Sequence, residues 1–501
     1  MTRISLAAVV ALCSLACPAA AAAAPPAEPI ELAAIGRTPA LGEAQAEIAA
    51  FHARSKRVFA TNPEANRLDI YDFADPTAPT LIESVDLAPF GGGPNSVAVS
   101  KRGLVAVAVE AHDKTDPGTV EFFDTAGKRL CGVGVGALPD MLTFTDSERA
   151  LLVANEGEPS DDGLTDPEGS VSVLDLDRDP CRARVRTAGF DHTPLLNAPR
   201  IVTAGNTPSK DFEPEYIATA GGLAWVTIQE ANAIGLLDIE RARFLYVRGL
   251  GYKDHGRAEN ALDPNDRDGP LLGSFPNVFG MYQPDAIAAY RSRRGIHLVT
   301  ANEGDAREND FTEEESRVSD LMLDRAAFPG GAGALARLNV TTTQGDTDGD
   351  GDYDELYAFG ARSMSVLDRF GRVRFDTGSE LERFVRDKDP ATFNVNHSLD
   401  LQVDNRSDNK GPEPEAVAVG EVRGTTYAFL GAERQSGIFA YDLDAEPGEA
   451  RLAGYVNTRP DDRGPEGAVF IEKRDSPTRK PLLLVTYEVT GTIAAYEVRR
   501  P

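Results

Sequence analysis

The chain has few residues of the types that stabilise small extracellular domains or bind polyanions. Its 501 residues include only four cysteines and one tryptophan. Basic residues are also scarce, because 51 Lys and Arg stand against 79 Asp and Glu, a net charge of −28. This balance excludes nucleic acid and anionic membranes as expected partners. No apolar run beyond the amino-terminal region approaches the roughly 20 residues that a membrane-spanning helix needs, so no membrane insertion is expected.

The first 24 residues have the pattern of a secretory signal peptide. Arg3 supplies a positive charge, residues 6–16 are apolar, and residues 19–24 are all alanine and offer cleavage sites. We therefore predict an exported chain, either periplasmic or fully secreted, with a membrane anchor or a lipid on Cys17 as alternatives. Cys131 and Cys181 then remain as an even pair in an oxidising compartment, where a disulfide and two buried thiols are both reasonable.

A unit of three short apolar strands recurs along the rest of the chain. Each copy opens with proline followed by Asp, Glu or Asn, its second strand ends in an acid, and a weaker fourth strand follows all but the last copy. A degenerate first copy begins at Glu47 and brings the total to seven. The six regular openings are Pro94-Asn95, Pro139-Asp140, Pro214-Glu215, Pro284-Asp285, Pro414-Glu415 and Pro465-Glu466.

The strand that the last copy lacks is supplied by residues 30–36, upstream of the first copy. Pairing of the two ends of a chain is how propellers hide their sheet edges. The pattern predicts an all-β, seven-bladed β-propeller closed by an amino-terminal strand, forming a single monomeric domain over residues 30–498. A β-solenoid and a pair of sandwiches are the alternatives. The long insertions, residues 251–283, 305–355 and 386–413, all fall on one face, which marks that face as functional.

Two series of mostly acidic residues are expected at the channel mouth on that face. Like charges so close together repel one another unless cations compensate, and oxygen ligands favour Ca²⁺, with Mg²⁺ as a second candidate ion. Capping of strand ends is the alternative for any single residue. The openings contribute Glu47, Asn95, Asp140, Glu215, Asp285, Glu415 and Glu466, and the second strands contribute Glu64, Glu110, Glu156, Glu230, Glu303, Glu433 and Glu488. The metal ligands predicted from this region are Glu158, Asp285, Asp305, Glu415 and Glu466.

A separate acidic loop lies in the insertion between residues 305 and 355. Acids occupy positions 1, 3, 5 and 9, and Gly351 occupies position 6, which is the spacing of a calcium-binding loop. The usual Glu at position 12 is replaced by Tyr357, so a helix-loop-helix hand is not expected. A solvated acidic turn is the alternative. The predicted calcium ligands are Asp346, Asp348, Asp350, Asp352 and Asp354.

Four further segments are distinctive, namely residues 154–159 (Ala-Asn-Glu-Gly-Glu-Pro), 282–286, 301–305 and 406–415. These segments resemble the choice-of-anchor I proteins. Members of this family are secreted bacterial propellers that also resemble mesenchyme-specific cell-surface glycoproteins and a region of atypical large alkaline phosphatases. The resemblance implies an extracellular propeller and raises phosphatase activity as an expectation. The sequence departs from the family pattern at residues 497–501, which read Glu-Val-Arg-Arg-Pro, so neither a sorting tail nor an added catalytic domain is expected.

Two functions of different classes follow. The first is a Ca²⁺-dependent phosphoesterase acting on a small phosphorylated molecule, and the second is a calcium-stabilised propeller that binds an extracellular ligand without turnover. A lactonase-like metal site is a third, weaker option. We favour the enzyme narrowly, because closely spaced carboxylates repel one another and destabilise a fold, so that such groups are typical of functional sites. The predicted catalytic residues are Glu156, Glu303, His255 and His397, and the predicted phosphate contacts are Lys253, Arg317, Lys410 and Arg434.

Overall fold

The computed structural model describes residues 26–176, 179–309, 312–445 and 448–501. The predicted signal peptide, residues 1–24, lies outside the described residues. The strands up to the fourth repeat are β1 (Glu31–Arg37), β2 (Ala49–His52), β3 (Arg57–Asn62), β4 (Arg67–Asp72), β5 (Thr80–Asp86), β6 (Pro94–Val99), β7 (Val105–Val109), β8 (Pro117–Phe123), β9 (Arg129–Ala137), β10 (Pro139–Phe144), β11 (Ala150–Asn155), β12 (Ser170–Asp175), β13 (Arg184–Gly189), β14 (Leu195–Leu196), β15 (Pro214–Ala220), β16 (Leu223–Ile228), β17 (Ala233–Asp238) and β18 (Arg243–Gly249).

The later part of the chain adds further strands and a few short helices. The strands are β19 (Tyr252–Asp254), β20 (Val278–Met281), β21 (Ile287–Ser292), β22 (Gly295–Asn302), β23 (Glu308–Asn309), β24 (Thr312–Glu313), β25 (Glu315–Arg317), β26 (Asn339–Thr341), β27 (Leu356–Ala358), β28 (Ser363–Asp368), β29 (Val373–Asp376), β30 (Pro414–Val422), β31 (Thr425–Ala432), β32 (Gly437–Asp442), β33 (Arg451–Asn457), β34 (Pro465–Ile471), β35 (Leu482–Tyr487) and β36 (Thr492–Arg499). The helices are α1 (Pro208–Asp211), α2 (Glu380–Lys388) and the 3₁₀ turns Pro180–Arg182, Ala258–Asn260, Val318–Asp320, Gly333–Leu335 and Pro390–Thr392.

Each copy of the repeat forms one antiparallel sheet whose strands follow chain order. Sheets 1, 2 and 3 are β2–β5, β6–β9 and β10–β13, and sheet 4 is β15–β18 with β14 added parallel to β18. Sheet 5 is β21, β22, β28 and β29, and sheet 6 is β30–β33. Sheet 7 is β34–β36, and β1 completes it by pairing antiparallel with β36, with Glu31 opposite Arg499. This is the end-to-end pairing that the sequence predicted.

The hydrophobic core is divided among the spaces between neighbouring sheets. One apolar cluster lies between each sheet and the next, and a further cluster joins sheet 7 to sheet 1. The second strands are buried on both faces, so Val105–Val109 of β7 is an unbroken apolar run, whereas the outermost strand β5 is largely exposed. The first strands of neighbouring sheets contact one another in the same circular order. This arrangement is a β-propeller, and the all-β prediction is confirmed.

Two of the predicted insertions are parts of one structure. Residues 251–283 and 305–355 contribute β19, β20, β25 and β26 to a common sheet with β27, which follows directly at Leu356 and runs parallel to β20. This insertion sheet has its own apolar cluster, which includes Leu262, Val340 and Leu356. The insertions therefore form a small packed layer and not separate loops.

A disulfide joins Cys131 of β9 to Cys181 of the 3₁₀ turn between β12 and β13, across 50 residues of sequence. The bond therefore links the outer edges of sheets 2 and 3. Of the two alternatives left open by the sequence, the structure contains the disulfide.

Replacing both cysteines by serine is expected to lower the free energy of unfolding by about 2 to 4 kcal/mol, because the unfolded chain is no longer constrained by a closed loop. Urea denaturation of the double variant and the wild type, each with and without reductant, measures this. Reductant should bring the wild type down to the variant and leave the variant unchanged. Equal stability of the two oxidised proteins would contradict the prediction.

Candidate functional site

The first strand of most repeat sheets is irregular where it begins. The register against the second strand shifts beside Pro94, Pro139, Pro214, Pro414 and Pro465. A bulge at this point takes the residue after the proline out of the normal side-chain alternation of the strand. In all six regular copies this residue lines the central cavity, as does Glu47 of the first copy.

The central cavity, which we call the channel cavity, has a volume of about 360 Å³. Asn95, Gln229 and Tyr216 are among its polar lining residues, and the lining that the structure describes contains no Lys, Arg or His. The remaining ionisable lining residues are nine carboxylates: Glu47, Asp140, Glu156, Glu215, Asp285, Glu303, Asp305, Glu415 and Glu466.

Burial, joined in most cases by repulsion from neighbouring carboxylates, raises the pKa of the channel carboxyls named below. Burial raises the pKa of Glu47 to about 7. Burial, with added repulsion from Glu47 and Glu158, raises the pKa of Asp140 to about 7. Burial also raises the pKa of Glu303 to about 8, although Lys410 acts in the opposite direction. The pKa of five other channel carboxyls is raised well above its ordinary value by burial and then by neighbouring carboxylates, namely Glu156, Glu215, Asp285, Glu415 and Glu466.

The channel carboxylates approach one another closely enough to share a cation. Oxygen atoms of Asp140, Glu156 and Glu215 lie within 4.8 Å of one another, and so do those of Asp285, Glu303 and Glu415. The Oε2 atom of Glu415 is buried and has no hydrogen-bond partner among the described residues. An all-oxygen donor set with an unsatisfied buried oxygen fits a hard divalent cation such as Ca²⁺ or Mg²⁺.

A second cavity, the side cavity, adjoins the channel cavity at Asp305, which lines both. Its volume is about 370 Å³. Unlike the channel cavity, it is lined by residues of both charges. The acidic lining residues are Glu158, Glu213, Glu230, Asp305 and Glu315, and the basic ones are Lys114, Arg307, Arg406, Lys410 and Arg434.

Glu413 holds three of these basic side chains in place. It is fully buried, and its Oε1 accepts a hydrogen bond of 2.8 Å from Arg406 Nε while its Oε2 lies 3.0 Å from Arg434 Nε. Lys410 Nζ lies 3.8 Å from Oε2 and is also paired with Asp305. Burial acts to raise the pKa of Glu413, but Lys410, Arg406 and Arg434 outweigh it and lower the pKa to about 2. Glu413 is therefore ionised at neutral pH.

The structure brings some predicted site residues to the channel and side cavities and leaves others elsewhere. Glu156, Glu303, Asp285, Glu415 and Glu466 line the channel cavity, and Glu158, Lys410 and Arg434 line the side cavity. His397 is near them, with its Nδ1 2.8 Å from Arg434 Nη1 and 3.6 Å from Glu433 Oε1.

Lys253, His255 and Arg317 line neither cavity. Lys253 is buried, donates to two backbone carbonyl oxygens and lies 3.0 Å from Asp376 Oδ1. Burial lowers the pKa of His255 to about 3, and its Nδ1 lies 2.6 Å from the carbonyl oxygen of Asn260. Arg317 is paired with Asp408. The structure does not bring these three residues to the channel carboxylates.

The acidic loop at residues 346–354 is folded on itself. Asp346 accepts hydrogen bonds from the backbone N–H groups of Gly349 and Gly351, at 2.7 and 3.0 Å. Gly351 has a φ of 98°, which favours glycine at this position. Oxygen atoms of Asp352 and Asp354 lie within 4.8 Å of each other and of Asp324, a residue that the sequence reasoning missed. The roles of Asp346, Asp348, Asp350, Asp352 and Asp354 as calcium ligands stay predictions.

Sequence reasoning also missed Glu213, Arg307, Arg406 and Glu413. One signal was available, because Glu213 and Glu413 each stand immediately before a Pro-Glu opening, so that Glu-Pro-Glu occurs in copies four and six. The two arginines carry no such signal. Their importance depends on which carboxylates they meet in the folded chain.

The ring of sheets and the carboxylate-lined channel define a β-propeller with an acidic centre. Residues 47–446 match the model of the choice-of-anchor I domain, and the chain belongs to this family. The family resemblance drawn from the sequence motifs is therefore confirmed. Membership places the chain among cell-surface or secreted proteins. In the described residues, no helix has the length and apolar character needed to traverse a bilayer.

Known proteins similar to the chain include Gigasin-3a of Magallana gigas. It is 32% identical over 186 residues, which are 33% of this chain and 65% of that relative's length. Among solved structures, Kuenenia stuttgartiensis hydrazine synthase has a TM-score of 0.47 at 11% identity, and the match covers 92% of this chain and 96% of the hydrazine synthase chain. The Myceliophteria thermophila Cps50 (Swd1) β-propeller domain has a TM-score of 0.44 at 10% identity, covering 93% and 99%.

Proposed function

We propose that the protein binds Ca²⁺ at its channel and uses the bound ion to hydrolyse phosphoric esters. The observation that carries the proposal is the lining of the channel cavity, where nine carboxylates are present and no basic side chain is described. Buried like charges are strongly unfavourable without a counter-charge. A divalent cation supplies that counter-charge with the ligand type that these residues offer. Mg²⁺ is the second candidate ion.

Two groups of residues would hold cations in this channel. They are Asp140, Glu156 and Glu215 on one side and Asp285, Glu303 and Glu415 on the other, with Glu466 beside the latter. A divalent cation bound there would supply a Lewis acid for a phosphoryl oxygen and lower the pKa of a water molecule. Lys410 and Arg434, on the wall of the adjoining side cavity, place positive charge beside the channel for an anionic substrate.

The proposed channel is the centre of a seven-bladed ring. Each of the seven repeat sheets supplies its first strand to the circle, and the apolar clusters between sheets close that circle from sheet 7 to sheet 1. These two observations support a count of seven blades, one for each copy of the repeat.

Hydrolysis of p-nitrophenyl phosphate by the purified chain tests the function. After removal of cations with EDTA no turnover is expected, and activity should return on addition of Ca²⁺. Glu156→Gln should lower kcat/KM at least about 100-fold, because a channel ligand is lost. Glu240→Gln is the matched control, since Glu240 is exposed and lines neither cavity. Turnover that is indifferent to both EDTA and Glu156→Gln would contradict the proposal.

A specific observation also favours the second candidate, a calcium-stabilised propeller that binds a ligand without turnover. Lys410, Arg406 and Arg434 are all paired with carboxylates, so an anionic substrate must compete with Asp305 and Glu413 for them. Absence of turnover with and without Ca²⁺, combined with a higher melting temperature in Ca²⁺, would establish this alternative over the enzyme.

A further inference from the structure

The side cavity contains two buried carboxylate oxygens without partners. Glu213 and Glu230 are 4% and 8% exposed, and both line this cavity. Among the described residues, Oε1 of Glu213 and Oε2 of Glu230 have no hydrogen-bond partner. A carboxylate oxygen removed from water and left unpaired is strongly unfavourable. Two such oxygens in one cavity indicate that something absent from the polypeptide satisfies them.

The positive charge beside these oxygens is insufficient to balance them. Arg307 is paired with one of these two residues, since its Nη2 lies 2.9 Å from Oε2, the other oxygen of Glu213. The same guanidinium also lies 3.5 Å from Asp211 Oδ1 and donates to the Asp211 carbonyl oxygen at 3.0 Å. One guanidinium is therefore in contact with both Asp211 and Glu213 and also acts on the charge of Glu230 from farther away, so negative charge remains in excess.

Other nearby groups increase this excess. Glu158 repels the charges of both Glu213 and Glu230. Glu158 is paired with Lys114, whose Nζ lies 2.9 Å from Glu158 Oε2, but the same Nζ is also paired with Asp161. Glu158 and Asp305 line the same cavity and offer further carboxylate oxygens.

We propose that Glu213 Oε1 and Glu230 Oε2 bind a divalent cation, with Ca²⁺ as the expected ion, at a side-cavity site separate from the channel carboxylates. The donors are all oxygens, as Ca²⁺ prefers. The cation site explains why both oxygens are buried and unpaired, and it neutralises the charge that Arg307 leaves uncompensated. This site stands whether or not the channel turns over a substrate. A proton is the competing occupant, since burial raises the pKa of Glu230 to about 7.

Counting bound ions on the whole mature chain tests the proposal. Protein treated with EDTA is titrated with Ca²⁺ by calorimetry at pH 7.5, and the bound metal is measured after equilibrium dialysis. Glu213→Gln and Glu230→Gln should each lose one ion or bind it at least 10-fold more weakly than the wild type. Glu156→Gln should retain this ion, and Glu240→Gln should match the wild type.

The two conservative variants keep the test informative if one of them folds poorly. Glu213 is paired with Arg307, whereas no ion pair of Glu230 is described, so Glu230→Gln is the milder change. Circular dichroism checks folding, and a smaller rise in melting temperature on adding Ca²⁺ gives a second measure. Unchanged ion count and affinity in both variants, or absence of Ca²⁺ binding by the wild type, would overturn the site. Ion loss confined to Glu156→Gln would overturn this site and leave the channel proposal standing. Ion loss confined to Glu213→Gln and Glu230→Gln would support this site and contradict ion binding in the channel.

Discussion

In EDTA, the protein is expected to lose stability steadily as the pH rises from about 5 to about 8. The folded state raises the pKa of Glu47 and Asp140 to about 7 and of Glu303 and Glu488 to about 8, chiefly through burial. Between the unfolded and folded pKa values the folded chain binds more protons than the unfolded chain. The stabilisation that these carboxyls contribute is therefore fully present at pH values below their pKa in the unfolded chain. It is lost as the pH rises through their pKa in the folded chain.

The size of this effect follows from the size of the shifts. Each pKa unit corresponds to about 1.4 kcal/mol, so one buried carboxyl whose pKa is raised this far contributes on the order of a few kcal/mol. Melting temperatures measured by circular dichroism at pH 5, 6, 7 and 8 in EDTA check the prediction. Ca²⁺ should raise the melting temperature more at pH 8 than at pH 5, because protons compete with it for the same oxygens. A flat profile in EDTA would show that the carboxyls are not buried as described.

Replacing Glu413 by glutamine is expected to lower the free energy of unfolding by about 3 to 5 kcal/mol at pH 7. The variant removes the carboxylate described as paired with Arg406 and one of those paired with Lys410 and Arg434, which keep Asp305 and Glu433. Breaking a buried ion pair by removing one partner is costly. Urea denaturation measures the loss, with retention of the folded circular dichroism spectrum as a check.

Asp475→Asn is the matched control for Glu413→Gln. Asp475 is paired at 3.2 Å with Arg474, and the two side chains are 47% and 81% exposed. Loss of such an exposed pair should change stability by less than about 1 kcal/mol. If Glu413→Gln were no more destabilised than this control, Glu413 would not hold the basic cluster together.

The repeat pattern predicted the parts of the fold that the repeat itself determines. The Pro-acid openings recur at equivalent positions of successive sheets, so their acids meet around one axis, and all seven residues of that series line the channel cavity. The pairing of β1 with β36 was predictable because the last copy was one strand short. The second series was less regular, since Glu156 and Glu303 line the channel cavity whereas Glu230 lines the side cavity.

Features that arise between distant loops could not be predicted in this way. The insertion sheet pairs strands of three or four residues, and its parallel β20 and β27 are separated by the whole of β21 to β26. Such short strands carry no periodicity from which a pairing could be inferred. The contact of Arg307 with Asp211 joins residues 96 positions apart, and that of Lys410 with Asp305 joins residues 105 apart. Only the fold determines which of the many acidic residues each Lys or Arg side chain contacts.

The pairing of β1 with β36 has a consequence for the order of folding. Sheets 1 to 4 and sheet 6 consist of strands that are close together in sequence, so each can form soon after its residues are synthesised, whereas sheet 5 must first bring together β22 and β28 across the insertion. The strand β1 is synthesised first, but it can pair with β36 only after the last residues of the chain have been synthesised. Ring closure is thus the contact with the greatest loop-closure entropy and the natural last step. Until it occurs, β36 presents an unpaired edge, and this is the stage at which the chain is most exposed to edge-to-edge aggregation.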